Sequence, residues 1–280
     1  MLPRNLLLLL AFTELGLIGQ GVDTPASAAA PLVIGDTFTI ESTVLGETRR
    51  INVYQPPGYA ESPAARVPVL YMPDGGMGED FLHMAGLVQV GAGNGTMRPF
   101  LLVGIENTQR RRDLTPPTES ASDRKIAKVV GGAAAFRRFM REELMPLVQA
   151  RYRTTGETAI VGESLAGLFV IDTLATEPDL FDTYIALDAS LWWNDGKYLA
   201  GLPAALVGRS GKAKALWFAS ADADHGNGRE ATQLAAQLQA AAPASLYWHY
   251  EPLLSEHHST IYHPAALLAF RALFAPPSAK

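Results

Sequence analysis

The 280-residue chain contains no cysteine, so it forms no disulfide and must be stable through its core alone. Charged residues make up only 18% of it, and the formal net charge is −5. A nucleic-acid-binding domain needs clustered Lys and Arg to neutralise phosphates, so the composition argues against a nucleic-acid partner. With 48% hydrophobic residues, the chain has the composition of a globular protein, and its length suits one large domain.

The chain also lacks an apolar run of the ~20 residues that a membrane-spanning helix needs. Its N-terminal apolar run, residues 6–12, is shorter, follows the basic Arg4 and precedes the small-residue stretch ASAAA. This pattern is typical of a cleaved secretory signal peptide, with a membrane anchor as the alternative. We expect a signal peptide over residues 1–28, a single catalytic domain over residues 29–280, and a secreted or periplasmic location.

The mature chain opens with two β-rich runs, DTFTIESTVLG and TRRINVYQPPGY, which predict an antiparallel pair of strands. Short apolar runs then alternate with helix-like segments. These runs are VPVLYMPDGG, PFLLVGIEN, TAIVGES, TYIALDAS and AKALWFASAD. Continuous apolar strands separated by helices indicate a mostly parallel sheet covered by helices on both faces.

Helices are predicted from apolar stripes of helical period. They cover the segment GAAAFRRFMREELMPLVQARY and residues 164–175, 229–242 and 264–274. Two stretches, the Gly-rich residues 74–95 and the polar residues 106–124, are predicted to be irregular, and ligand-contacting loops are commonly of that kind.

Ser164 lies where a strand becomes a helix, in the stretch IVGESLAGL. The G-x-S-x-[GA] pattern in that context predicts a nucleophile elbow, a sharp turn that exposes the serine hydroxyl. The residues two before and two after the serine must be small so that strand and helix can approach. Gly162 meets this condition, and Ala166 adds one methyl group. An ordinary serine near the start of a buried helix is the alternative. A catalytic serine also needs a base, because its protonated hydroxyl is a poor nucleophile.

The base is sought among six histidines, at positions 83, 225, 249, 257, 258 and 263. In the α/β-hydrolase plan, the histidine lies on the loop after the last strand, ahead of the final helix. His257 and His258 occupy that loop. The other four are assigned to packing, to helix capping or to the surface.

The acid is expected after the strand ALWFAS, where Asp222 and Asp224 are both available. Asp222 is preferred because it is closer to the strand end, and a carboxylate that orients an imidazole must be held rigidly. Asp188 is the third candidate, since some hydrolases take their acid one strand earlier.

Six stretches of the sequence together resemble the putative-esterase family of α/β-hydrolases, which includes siderophore trilactone esterases and relatives of esterase D. They are VLYMPDGG, VGIENTQRRRDLTP, FRRFMREELMPLVQARYRT, GESLAGL, ASLWW and EHHSTIYHPAALLAFR. The resemblance implies an α/β-hydrolase fold and places His258 in the catalytic position, with His257 as its exposed neighbour. The chain departs from the family at Ala166 and at Asp188-Ala189, where relatives often have a serine-proline pair.

A serine esterase with this triad would attack an ester carbonyl through Ser164 and pass through an acyl-enzyme. The backbone N–H of Leu165 and one from the DGGM turn, Gly76 or Met77, would form the oxyanion hole. No metal and no cofactor are required.

Three side chains are candidates for substrate binding. Trp192 and Trp193 follow a strand at the edge where hydrolase sites open, although at least one of two adjacent residues is expected in the core. The resemblance suggests that one of three consecutive arginines, with Arg110 as our choice, faces the site. The alternative for these arginines is an internal ion pair with Asp113 or a helix C-terminus.

The leading interpretation is an exported serine esterase that acts on a small-molecule carboxylic ester. An acyltransferase that uses the same triad is one alternative, and a catalytically silent hydrolase fold that acts as a binding protein is another. The identity of the ester and the oligomeric state do not follow from the sequence.

Overall fold

The apolar runs of the sequence form a single sheet. The computed structural model describes residues 28–206, 212–222 and 226–277, and within these ranges the sheet has eight strands. They are β1 Gly35–Ser42, β2 Glu47–Tyr54, β3 Val67–Pro73, β4 Leu101–Ile105, β5 Thr154–Glu163, β6 Thr183–Leu187, β7 Lys214–Ala221 and β8 Leu246–Leu253. The predicted signal peptide falls almost wholly outside the described residues and stays a prediction.

The strand order across the sheet is β1-β2-β4-β3-β5-β6-β7-β8. The strand pairs β1–β2 and β2–β4 are antiparallel, and all the other pairs are parallel. The predicted N-terminal antiparallel pair and the parallel sheet after it are therefore both confirmed. Strand β6 lies directly beside β5, with Leu187 opposite Glu163, so the residues that follow these two strands are neighbours.

The longer connections between strands carry the helices of the described part of the chain. They are α1 Phe81–Gly93, α2 Arg110–Asp113, α3 Asp123–Ile126, α4 Ala133–Phe139, α5 Met145–Arg151, α6 Leu165–Thr176, α7 Lys197–Leu206, α8 Asn227–Ala241 and α9 Tyr262–Leu273. A π-helical turn, Met140–Leu144, joins α4 to α5. Pro146 lies in the first turn of α5 and has no N–H to donate, which suits a widened turn before it.

The prediction that residues 74–95 are irregular is wrong for most of the stretch, because it contains α1. Phe81, Met84 and Val88 recur at helical spacing and are buried, so tertiary packing outweighs the low helix propensity of the glycines. The polar stretch 106–124 is irregular except for the short helix α2 and the start of α3.

Buried apolar side chains fill both faces of the sheet. On one face Tyr71 packs with a cluster that includes residues of α4, α5, α6 and α8. On the other face Leu70 and Met72 pack with residues of α1 and α9. This alternation along β3 is what a strand buried on both faces requires.

All the strands and helices named above belong to one compact unit, Ile34–Lys280. Of the helices in the described ranges, none combines the length and the apolar character needed to cross a membrane.

Candidate active site

Ser164 is the single residue between β5 and α6, and its backbone has φ 60° and ψ −119°. A positive φ is unfavourable for a residue with a Cβ, so this turn stores strain. The serine N–H donates to Leu187 O at 2.9 Å, and the serine carbonyl accepts from Leu168 N at 2.9 Å and Ser190 N at 3.0 Å. These bonds hold the strained turn, which is the strand-to-helix turn expected from the sequence.

Small residues on either side of the serine let strand and helix meet. A Cβ added to Gly162 would lie 2.6 Å from the carbonyl carbon of Ala166 and 2.7 Å from its methyl group. One added to Gly167 would lie 3.0 Å from Leu187 O. Ala166 is fully buried against Gly162, so its extra methyl group fills the closest approach of α6 to β5.

His258 lies on the loop between β8 and α9, as expected, and its Nδ1 is 2.5 Å from Asp188 Oδ2. The side chain of His258 is 54% exposed, whereas that of Asp188 is 4% exposed. Two further donors fix the carboxylate, because Ala221 N donates to Oδ1 at 3.0 Å and Asn227 Nδ2 donates to Oδ2 at 2.9 Å. The imidazole therefore rests on a rigid, buried carboxylate.

Asp222, the acid preferred from the sequence, does not hold this position, and the geometry corrects that choice. It follows β7 and is exposed, while Asp188, the third candidate, follows β6. The reason lies in the strand order, since β6 is the immediate neighbour of the serine strand and β7 is one strand further away. The remaining alternative, Asp224, lies outside the described residues.

Glu163, the residue before the serine, brings a second carboxylate to the imidazole. Its Oε1 lies 3.2 Å from His258 Nδ1, and its side chain is 15% exposed. Burial raises the pKa of Glu163 to about 7, helped by the charges of Asp188 and Asp74 and opposed by those of His258 and Arg110. The sequence interpretation missed this residue, although a glutamate directly after the buried run AIVG is a recognisable signal.

The pKa of His258 is raised above its ordinary value, chiefly by the hydrogen bond to Asp188 and further by the charges of Glu163 and Asp188. Partial burial and Arg110 oppose the shift. The imidazolium form is thereby stabilised, as a base that takes a proton during a reaction requires.

Ser164 Oγ lies 3.5 Å from Ser190 Oγ. Among the described residues no hydrogen bond joins Ser164 Oγ to His258, whose Nδ1 faces the two carboxylates. Catalytic hydrogen bonds commonly tighten only when substrate is bound. The half-exposed imidazole is anchored through Nδ1, which leaves Nε2 for a partner on its other side.

The two predicted oxyanion donors differ in their surroundings. Leu165 N opens α6, where the first N–H groups of a helix have no partner within the helix. Gly76 N donates to Glu79 Oε2 at 2.7 Å, so this N–H is already hydrogen-bonded to a carboxylate. Met77, the alternative on the same turn, is exposed.

Arg110 forms a bidentate ion pair with Asp74, in which Nε lies 2.7 Å from Oδ1 and Nη2 lies 2.8 Å from Oδ2. Asp74 is buried and follows β3 at φ 59°. Arg110 Nη2 also lies 3.5 Å from Glu163 O. The arginine thus borders the serine turn, and its guanidinium is paired with an internal carboxylate, so a role in substrate binding stays a prediction. Arg112 pairs with Glu47 and Asp113, which is the alternative foreseen for this arginine run.

The two tryptophans have different environments. Trp193 is fully buried and its Nε1 donates to Pro116 O at 2.9 Å, so it belongs to the core and does not line an open site. Trp192 is 37% exposed, which leaves it as the one of the pair that a substrate can reach. One of the two tryptophans is therefore in the core, as the sequence predicted for at least one of them.

The other described histidines have structural surroundings. His249 lies in β8 against Glu251 and stacks on Trp217. His83 in α1 lies 3.3 Å from Asp80. His263 belongs to the first turn of α9, and His257 is exposed next to His258. The remaining histidine, at position 225, falls outside the described residues.

Glu163, Asp188 and His258 each offer one atom, all within 4.8 Å of one another, so this cluster could hold a metal ion. Both carboxylates approach the same ring nitrogen, His258 Nδ1. A proton on Nδ1 would be shared with both carboxylates and accounts for both contacts. A metal ion could bind Nδ1 only if that proton were absent. The arrangement therefore suits an oriented imidazole.

Comparisons with known proteins show the family to which the chain belongs. The family described as "Putative esterase" matches residues 42–271. The chain is 31% identical over 185 residues to the ferri-bacillibactin esterase BesA of Bacillus subtilis, a match that covers 57% of this chain and 62% of BesA. The chain thus spans less than two thirds of that relative.

Solved structures show the same fold. An IroE-like serine hydrolase from Shewanella oneidensis superposes with a TM-score of 0.77 at 32% identity, covering 86% of this chain and 80% of that one. The BES protein from Bacillus cereus superposes with a TM-score of 0.76 at 21% identity, covering 88% and 98%. Since the family match extends over most of the chain, from β1 to α9, the chain belongs to the putative-esterase family and has its α/β-hydrolase fold.

Proposed function

We propose that this protein hydrolyses carboxylic esters through Ser164, His258 and Asp188. The proposal rests on one observation, that the neighbouring parallel strands β5 and β6 end side by side. A serine on a strained turn follows one strand, and the buried carboxylate that holds the imidazole follows the next. Family membership supports the same activity.

The reaction follows from the roles of these groups. Ser164 Oγ attacks the ester carbonyl carbon while His258 Nε2 takes the hydroxyl proton. The tetrahedral oxyanion collapses, the C–O bond to the alcohol breaks, and the imidazolium returns its proton to the leaving alkoxide. Water then attacks the acyl-enzyme with His258 again as base, releasing the acid and Ser164. Asp188 holds Nδ1–H throughout and stabilises the imidazolium.

The oxyanion needs N–H donors placed before the reaction begins. Leu165 N, at the start of α6, is one donor, and the turn after β3 supplies the other. Glu79 leaves Gly76 N when the oxyanion arrives, or Met77 N takes its place. Glu79 is exposed, so water can solvate its carboxylate after it leaves Gly76 N.

The substrate class that best fits the relatives is a siderophore ester. BesA is a ferri-bacillibactin esterase, and structures with the same fold include the siderophore hydrolases EstB and EstA of Aspergillus nidulans. Trp192 is partly exposed and follows by two residues Ser190, whose N–H donates to Ser164 O, so it offers an apolar surface for the acyl or alcohol group. A panel of trilactone siderophores and of p-nitrophenyl esters with increasing acyl length, compared by kcat/KM, tests this choice.

We also propose that the protein is exported, on the basis of the N-terminal sequence pattern. Expression with the first 28 residues, followed by N-terminal sequencing of protein from the periplasm or medium, tests the proposal. A mature N-terminus at Ala29 supports it, whereas an intact Met1 on cytoplasmic protein contradicts it.

The activity itself is tested with Ser164→Ala on p-nitrophenyl butyrate. The expected result is loss of hydrolysis with a melting temperature at or above that of the wild type, because the strained turn remains in place. Ser62→Ala, at an exposed serine, is the matched control and should keep wild-type turnover. Turnover by Ser164→Ala at the wild-type rate would remove Ser164 as nucleophile.

A further inference from the structure

We propose that Glu163 is a positioning residue for catalysis, a second carboxylate that holds the His258 imidazole together with Asp188. This inference rests on the proposed ester hydrolysis and names one more residue that the same site uses. It starts from the distances to one atom, His258 Nδ1, which lies 2.5 Å from Asp188 Oδ2 and 3.2 Å from Glu163 Oε1.

The two carboxylates differ in how the fold holds them. Asp188 accepts from Ala221 N and Asn227 Nδ2 besides the imidazole. Within the described ranges, the carboxylate of Glu163 has no hydrogen bond to another group, and its close polar partner is His258. Glu163 is therefore a largely buried acid whose charge is directed to the imidazole, since a carboxylate removed from water is costly without a partner.

Charged groups on four other segments surround Glu163. His258 reaches it from the loop before α9, Asp188 from the end of β6, Asp74 from the end of β3, and Arg110 from α2. Arg110 is already paired with Asp74, so these two largely compensate each other. The balance of charge at the site is then two carboxylates around one imidazole.

This arrangement changes what the imidazole does during the reaction. When His258 takes the serine proton it becomes a cation, and two nearby anions stabilise a cation more than one does. Glu163 also directly precedes Ser164 in the chain, so the turn that fixes the nucleophile also fixes the backbone position from which this carboxylate extends. The same turn thereby aligns the nucleophile and the base.

Titration of His258 in a Ser164→Ala background tests the proposal without relying on turnover. Nuclear magnetic resonance of the ring protons follows the imidazole directly. Adding Glu163→Gln should lower the midpoint of the His258 titration, because one stabilising anion is lost. Adding Glu61→Gln, at an exposed glutamate between β2 and β3, should leave the midpoint unchanged. An unchanged midpoint with Glu163→Gln overturns the proposal.

Kinetics give the second readout. On p-nitrophenyl butyrate at pH 8, Glu163→Gln should lower kcat/KM by about tenfold, the loss typical of one charge-assisted contact. Combined with Asp188→Asn, it should reduce kcat/KM below that of Asp188→Asn alone, because Glu163 then holds the imidazole by itself. Equal rates for the double and the Asp188→Asn variant would contradict the inference.

Glu163→Asp covers the case in which the glutamine variant fails to fold, because it keeps the charge and withdraws the carboxylate by one methylene. Its His258 midpoint should also be lower than that of the Ser164→Ala parent, and a midpoint equal to the parent's overturns the proposal. Failure of the proposed function appears differently, as wild-type protein that hydrolyses no ester while the His258 titration still responds to Glu163.

Discussion

Asp188 Oδ2 lies 2.5 Å from His258 Nδ1, across 70 positions of sequence. The contact exists because β6, which ends one residue before Asp188, is the sheet neighbour of β5, which ends one residue before Ser164. Nucleophile and acid therefore stand at the same edge of the sheet. The imidazole comes to them from the loop ahead of α9.

Replacing the acid should distinguish Asp188 from Asp222. Asp188→Asn should lower kcat/KM by about 10²–10⁴-fold, because the amide no longer stabilises the imidazolium or fixes its tautomer. Asp222→Asn should stay within about threefold of the wild type, since another carboxylate occupies His258 Nδ1. Steady-state kinetics on p-nitrophenyl butyrate measures both. The reverse order of effects would restore the acid expected from the sequence.

The pH dependence of kcat/KM should reflect the raised pKa of His258. A general base works only when neutral, so activity falls as the pH drops through that pKa. Since Asp188 and Glu163 raise it, the acidic limb should lie above the ordinary value of 6.5. The residual activity of Asp188→Asn should show its acidic limb at a lower pH. A wild-type limb below 6.5 would conflict with the charges observed around the ring.

Gly162→Ala should destabilise the fold by about 1–3 kcal/mol, the usual cost of forcing an extra methyl group into a filled site. The added Cβ would meet the Ala166 backbone at 2.6 Å. Chemical denaturation gives the difference in unfolding free energy. Gly201→Ala is the control, because a Cβ there meets nothing within 4 Å and the helix interior of α7 favours alanine over glycine. Equal stability of the two variants would contradict the close approach of β5 and α6.

Stability should vary with pH through Glu163. Its folded-state pKa, about 7, lies above the ordinary 4.5, so the folded state prefers the protonated acid. The associated stability is present in full below pH 4.5 and is lost as the pH rises through about 7. Glu163→Gln, which never ionises, should gain on the wild type between pH 5 and pH 8 by a difference of the order of 3 kcal/mol at most.

Urea unfolding at pH 5 and pH 8 measures that gain. For the control variant Glu61→Gln, the unfolding free energy relative to the wild type should be the same at both pH values. A Glu163→Gln variant that loses stability relative to the wild type as the pH rises would show that Glu163 is not an acid raised by burial.

The local features of this fold could be predicted from the sequence, and the features set by strand order could not. The glycine, serine and alanine around position 164 predict a turn because their sizes decide whether β5 and α6 can meet. The loop that carries His257 and His258 could be placed because it lies just before a clearly amphipathic helix, and the family resemblance then selected His258. Both inferences use residues that are close together in the chain.

The acid depended on which strands are neighbours, which a reading along the chain does not give. Asp188 and Asp222 both follow apolar strands, and only the position of β6 beside β5 separates them. Helix α1 was missed for a related reason. Its glycines suggested a loop, and the apolar stripe that stabilises the helix does so only by packing on the sheet. The burial of Trp193 could not be predicted either, because its Nε1 donates to the carbonyl of Pro116, a residue 77 positions away.

The most direct test of the central claim is covalent labelling of the purified protein with a fluorophosphonate, which reacts with activated serines. We predict one added phosphonyl group per chain, located by peptide mass spectrometry on Ser164. Labelling should be absent in Ser164→Ala and strongly slowed in His258→Ala, whereas His257→Ala should be labelled at the wild-type rate. A wild-type protein that stays unlabelled, or is labelled at another residue, would contradict Ser164 as the nucleophile.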